Sequence, residues 1–315
     1  MTSNKEKKEF RAKERKTKVK FIKQNWQLYL FLFPTLLYFV IFHYAPMYGI
    51  LMAFKDYSPA LGIWKSPWVG FMWFEDFFNS YYFTDLLKNT LGISIYQIIV
   101  GFPAPIILAL LMNEVKDGLY KRGLQTITYA PHFISLVVMV GIIIAFLSPT
   151  TGLINNILGL FGIGPIPFMI QPKWFKTIYV FSGVWQSTGW GAIIYIAALS
   201  GVDPQLHEAA IMDGASRLQR IRHINIPAIV PIIVVMFILE MGGIMSVGFQ
   251  KVLLMQNELN MSSSDVISTF VYRTGLLDAQ YSYSTAVGLF DSVINATLLL
   301  TVNQISKKIT QIGLW

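Results

Sequence analysis

The sequence predicts an all-α polytopic membrane protein with six transmembrane helices. Three observations carry that prediction. Charged residues make up only 13% of the 315 positions, about half the share of an ordinary soluble domain. The apolar residues, 54% of a chain with mean hydropathy +0.51, gather into long windows almost free of charge. Those windows run continuously, without the period-two alternation of a barrel strand, which leaves helices as the spanning elements.

A hydrocarbon core of about 30 Å takes roughly 20 apolar residues of helix. The first window, 26–45, reads WQLYLFLFPTLLYFVIFHYA. It is longer than a signal-peptide core and ends in bulky residues instead of a small-residue cleavage site, so a retained span is expected. Further windows follow at 90–112, 123–147, 177–199, 226–249 and 284–305. Pro34, Pro103, Pro105, Pro131 and Pro231 fall inside them. Each removes a backbone donor, so kinked helices are expected, with the freed carbonyls satisfied by neighbours.

The connections set the orientation. Ten of the 25 basic residues lie in the first 25 positions, interrupted by Glu6, Glu9 and Glu14. Beside a spanning helix such a run is an anchor on anionic lipid, which accounts for the net charge of +8 without nucleic acid. With the N-terminus in the cytoplasm, segments 1–25, 113–122, 200–225 and 306–315 hold 18 basic residues. The opposite segments, 46–89, 148–176 and 250–283, hold 7. Both termini are therefore expected in the cytoplasm. Four parts are expected: a basic tail (1–25), a first span with a long outer loop (26–89), a five-helix core (90–305) and a short cytoplasmic end (306–315). The outer loop carries Trp64, Trp68, Trp73, Phe74, Phe77, Tyr81 and Tyr82, which reads as an interfacial belt or as a docking surface for an external partner. The chain has no cysteine, which excludes disulfides, iron–sulfur clusters, thiolate zinc and a cysteine nucleophile.

The loop 200–225 has the sharpest local signals. Asp203-Pro204 is a helix start, an N-cap carboxylate followed by proline at the first helical position. The helix is expected to run through Met212 and to stop at Gly214 in a left-handed turn. So short a helix outside the bilayer is not stable alone, and something must pack on it. His207-Glu208 opens an HExxH pattern, but Ile211 stands where the second histidine would be, so no zinc site is expected.

Residues 207–231, HEAAIMDGASRLQRIRHINIPAIVP, resemble the EAA loop of binding-protein-dependent ABC importer permeases. The matching positions are Glu208, Ala209, Ala210, Asp213, Gly214, Ala215, Ile224 and Pro227. The resemblance implies a type I ABC importer permease fold in which this loop is the coupling helix, seated in a cleft of an ATPase subunit. Glu208 would contact that subunit and Gly214 would form the turn. The stretches TYAPHFIS (128–135), YIAALSGVDPQLHEAA (195–210) and YSYSTAVGLFDSVINATLLL (281–300) are similar to the carbohydrate-uptake branch. The layout is similar to the larger permease subunit of maltose-type importers, without its extra N-terminal spans and large outer domain. The implied partners are a second, non-identical permease subunit, two ATPase subunits and an extracytoplasmic sugar-binding protein, at the bacterial cytoplasmic membrane. No GxxxxGK[ST] phosphate loop occurs, so ATP and magnesium would belong to the ATPase, with no cofactor and no enzymatic activity in this chain.

A charge at lipid depth costs about 2.5–3.5 kcal/mol on insertion scales, so Glu240 and Asp291 are expected to face the bundle interior. In the fourth window Gly183, Gln186, Ser187 and Trp190 recur at i, i+3, i+4 and i+7, with Trp185 nearby. Such a stripe offers hydrogen-bond partners for sugar hydroxyls and an aromatic plane for a sugar's C–H face. The resemblance places Gly183, Ser187, Trp190 and Glu240 at sugar-lining positions. The same small residues also serve helix packing, and Asp291, between Gly288 and Asn295, also suits a contact with the partner subunit. The expected function is import of oligosaccharides or polysaccharide fragments by alternating access, with a peptide or phosphonate importer as the alternative. A secondary transporter would show internal repeats, and none is found. An intramembrane enzyme would need a paired catalytic constellation that the two carboxylates do not supply.

Overall fold

The structure is a computed structural model that describes residue 21 and residues 23–315. Apart from Lys23, the basic run of the N-terminal tail lies outside the described residues. The described residues form helices and turns, with one isolated bridge between Lys55 and Trp68.

Helix α1 (Trp26–Phe54) is a 29-residue rod, longer than the expected 26–45. It passes through a π turn at Val40–Tyr44 and tightens into a 3-10 stretch over Ala45–Phe54. No side chain of Trp26–Phe39 is buried, so this apolar surface is left to the surroundings. Helix α2 (Tyr82–Asn113) has 32 residues and turns at Gly101-Phe102, where Pro103 supplies no amide hydrogen.

The third window is not the straight span expected over 123–147. It is two helices, α3 (Leu119–Phe133) and α4 (Leu136–Phe146), set at 101° to each other. Pro131 ends the first of them in a 3-10 turn, and Ser135 starts the second by accepting a hydrogen bond from the Val138 amide at 3.4 Å. The break thus has a side-chain cause on each side.

Helix α5 (Pro172–Leu199) is 28 residues long, about 42 Å at 1.5 Å per residue. It is the centre of the bundle. Ala192 and Tyr195 pack against Ala109 of α2, while Tyr179 and Val180 pack with Ile93 and Met139. Gly189 permits the closest approach, because a Cβ there would lie 1.9 Å from the Thr128 carbonyl oxygen. Helix α6 (Pro204–Met212) follows, and then α7 (Arg217–Met241), which includes a π turn at Ile221–Asn225. The fifth window was expected over 226–249, yet α7 stops eight residues earlier. Gly242 and Gly243 open a turn, and the Met245 amide is drawn onto Asn295 Oδ1 at 2.9 Å.

Helix α8 (Phe249–Met255) lies within the connection 242–280, and α9 (Tyr281–Thr310) closes the chain's helical part. Among the described residues α1, α2, α7 and α9 are long and apolar enough to cross a membrane, and the α3–α4 pair makes a fifth if counted as one broken span. Helix α5 has the length, but its glycine, serine, glutamine and threonine residues keep it out of that group.

Polar side chains tie down the 242–280 connection. Asn260 is fully buried and donates to the carbonyls of Met169 (2.9 Å) and Met255 (3.0 Å) while accepting from the Asn257 amide and the Ser264 hydroxyl. Asn89 donates to the carbonyls of Ser262 and Asp265, and Thr90 accepts from the Ile267 amide. Arg273 pairs with Asp265 at 2.6 Å. Irregular backbone at the end of a bundle needs such partners, since no ladder or helix satisfies it.

Candidate functional site: the loop helix and the cavity beside α5

Two features stand out. The first is α6, whose start and stop follow the local signals. The Asp203 carboxylate accepts from the Gln205 amide at 2.9 Å. At the other end Gly214 takes φ +78°, the Gly214 amide donates to Ile211, and the Ala215 amide reaches back to Ala210 at 2.8 Å. This six-to-one bond with a left-handed glycine is a Schellman stop. A second cap, not anticipated, follows at once. Ser216 and Gln219 form a reciprocal capping box that starts α7.

Helix α6 buries none of its residues. Glu208, Ala209, Asp213 and Gly214 are exposed, and Ala210 and Ala215 are half-buried. Leu206, Ile211 and Met212 are exposed beside them, Met212 at 87%. A capped helix that presents three large apolar side chains and an alanine face to solvent is a surface built to be covered.

The second feature is a cavity of about 220 Å³ between α2, α5 and α7. Gly183 and Ser187 line it from α5, Glu240 and Met236 from α7, and Gln97 and Pro105 from α2. Tyr195 of α5 lines it as well. The cavity thus gathers Gly183, Ser187 and Glu240 of the expected pathway residues.

Other members of the expected stripe lie elsewhere. Gln186 donates from Nε2 to the Ile134 carbonyl at 3.1 Å, and Trp190 stacks on His132 at 4.5 Å and 2°. Both therefore border the α3–α4 break, with Phe133 edge-on to Trp190. The lining arc of α5 also includes Val184, Thr188 and Gly191, which sets it about one residue, or 100° of helix, round from the stripe centre. Trp185 is half-exposed and does not line this cavity. Asp291 does not reach the cavity. Its Oδ2 accepts from Asn295 at 3.3 Å, and Oδ1 is buried without a partner.

Gln97, Tyr195 and His132 escaped the sequence reading. Gln97 is the one amide side chain in its window and Tyr195 continues the Gly183–Ser187–Gly191 spacing, so both left a faint signal. His132 left none, because its stack depends on the 101° break. Among the described residues no three histidine, cysteine, aspartate or glutamate side chains group as metal ligands.

Long helices around a small cavity into which a single carboxylate is set, with a capped exposed helix between two of them, define a multi-pass membrane transport subunit. The chain belongs to the family described as binding-protein-dependent transport system inner membrane component, whose model matches residues 101–311. Among its relatives, Protein LplB of Bacillus subtilis (strain 168) is 48% identical over 93% of this chain and 92% of its own length. The polygalacturonan/rhamnogalacturonan transport system permease protein YteP of the same organism is 43% identical over 97% of this chain and 95% of its own. Two solved structures superpose closely. One is a bacterial ABC transporter involved in the import of the acidic polysaccharide alginate, with TM-score 0.86 and 43% identity over 92% of this chain and 98% of that one. The other is the bacterial alginate ABC transporter in complex with alginate pentasaccharide-bound periplasmic protein, with TM-score 0.87 and 42% identity over 94% and 99%.

Proposed function

We propose that this chain is the permease subunit of an ATP-driven importer of oligosaccharides or polysaccharide fragments, with sugars carrying carboxylates as the main cargo. The observation that carries the reading is α6, doubly capped, unburied and apolar-faced at the foot of the long helix α7. The names of the similar proteins, which concern polygalacturonan, rhamnogalacturonan and alginate, support the cargo.

In this reading both termini and α6 are cytoplasmic, and 242–280 faces outside. Glu208, Ala209, Ala210, Asp213, Gly214 and Ala215 form the coupling surface on an ATPase subunit, where ATP and magnesium are held. The complex contains a second permease, two ATPase subunits and an external sugar-binding protein. The basic tail rests on anionic lipid, and nucleic acid plays no part. The core of 90–305 moves sugar by alternating access past Gly183, Ser187 and Glu240, with Gln186 and Trp190 beside the α3–α4 break and Trp185 on a separate, half-exposed side of α5. A cavity of about 220 Å³ is smaller than a typical ligand pocket of about 300–1,000 Å³, so it serves as one wall of a passage that the second permease completes. Asp291 is read as a contact with that partner.

The test is ATPase activity of the reconstituted complex, with and without sugar-loaded binding protein. Wild type should be stimulated, and Glu208→Ala should lose most of that stimulation while the binding protein still binds sugar. A chain that assembles with no ATPase sinks the reading.

A further inference from the structure

The connection 242–280 buries a cation that nothing described so far uses. Lys251 of α8 is 8% exposed, and among the described residues it forms no ion pair. Its Nζ donates to the Tyr179 carbonyl at 2.7 Å and lies 4.5 Å from the centre of the Tyr179 ring. That carbonyl has no need of it. It already stands within α5, where the helical amide four residues on is its partner, and it also accepts from the Ser182 hydroxyl at 3.1 Å. The ammonium therefore spends one of its three N–H groups on an acceptor already supplied, and Lys251 is held without a counter-charge. A buried charge in that state is costly unless something pairs with it.

The cavity lies next to it. A Cβ placed on Gly183 would come within 3.2 Å of Lys251 Nζ, and Gly183 lines the cavity. Lys251 itself does not line the cavity; it is the vacant Cβ position of Gly183 that brings the ammonium close to that wall, and a larger side chain there would lie against it. The tyrosine beneath is fixed as well, since the Tyr179 hydroxyl accepts from the Gly248 amide at 3.1 Å. The carboxylate on that cavity, Glu240, is not paired with it. Helix α8 lies outside the membrane-crossing helices, and burial there pulls the Lys251 ammonium down to about 8, which leaves the charged form in the majority at neutral pH.

We propose that Lys251 is a specificity-determining residue, its ammonium pairing through the gap at Gly183 with a sugar carboxylate entering the passage from the α8 side. The inference rests on the carbohydrate reading above and assigns the group that tells acidic sugar from neutral. Charge-assisted N–H···O bonds are about twice as strong as neutral ones, and a lysine serves as a point charge that a moving carboxylate can meet and leave.

The experiment uses the whole complex in proteoliposomes, with its second permease, ATPases and binding protein. Uptake of an oligogalacturonate is compared with that of its carboxyl-reduced, neutral counterpart. The binding protein is common to every arm, so its own preference cancels in the ratio of variant to wild type. Lys251→Met should lower acidic-sugar uptake about tenfold, the factor that roughly 1.4 kcal/mol makes, and leave neutral uptake within about twofold. Lys251→Arg should retain most of both. Gly183→Ala, which sets a methyl against the ammonium without removing it, should also favour the neutral sugar and decides the matter if Lys251→Met does not assemble. Equal losses of both sugars would make Lys251 a structural pin, and unchanged uptake of both would remove it from the passage; either result overturns the proposal. A wild-type complex that imports neither sugar overturns the carbohydrate reading itself, and the role of Lys251 with it.

Discussion

The segments on either side of α7 are both connections between long helices, and they are built in opposite ways. The loop before it, 200–216, is made of bonds between residues two to five apart: Asp203 to Gln205, Ala215 to Ala210, Ser216 to Gln219. The connection after it, 242–280, is held by partners far along the chain, such as Asn89 on Ser262 and Thr90 on Ile267. The first buries nothing of its helix, while the second includes Val247, Lys251, Val252, Met255, Asn260 and Val266 among its buried residues. A locally determined element keeps its shape while exposed and so suits a surface that another protein covers. A non-locally determined one depends on the bundle being assembled, and its shape reports the state of that bundle.

Substitutions can break that contrast. The largest effect is expected at Gly189, where any Cβ meets the Thr128 carbonyl. Gly189→Val should cost about 3 kcal/mol or more through overpacking. The detergent-solubilised protein should then melt early or fail to accumulate, with the 242–280 connection opening along with the bundle. Next comes Asn260→Ala, which takes the side-chain partner from the Met255 carbonyl, the Asn257 amide and the Ser264 hydroxyl, while the Met169 carbonyl keeps its bond from Asn257. A loss of about 1–3 kcal/mol is expected, read as limited proteolysis confined to 242–280 while α6 still binds its partner. The smallest is Asp203→Ala, about 0.5–2 kcal/mol of local helix stability. Because α6 is unburied, thermal melting of the bundle should hardly move, and the loss should appear as weaker association with the proposed ATPase partner. A large drop in melting temperature for Asp203→Ala would erase the distinction between the two connections.

The same contrast explains what could be read from the residues alone. Asp203-Pro204 and Gly214 carry their own instructions, so the ends of α6 were legible to the residue. Long apolar windows likewise disclosed α1, α2, α7 and α9. The break at 131–135 was half visible: Pro131 announced a kink, but its own spacing does not give the 101° angle, and Thr128 just before it packs closely on Gly189 of α5. Glu240, Gly183 and Ser187, singled out because polar or small residues in apolar windows are conspicuous, line one cavity. The rotation of the lining arc, which carries Gln186 and Trp190 away, follows from which neighbours flank α5 and is absent from α5's own spacing. Asp291 illustrates the limit, for a carboxylate in a span signals importance without saying which wall it serves.

Helix α7 links the two ends of the molecule mechanically. It runs 25 residues from Arg217, immediately after the capped turn at Gly214, to Met241, next to Glu240 on the cavity wall. At 1.5 Å per residue this is a lever of about 37 Å. Pivoted at its foot through about 10°, such a lever sweeps its far end through about 6 Å, a displacement comparable to a full helical turn.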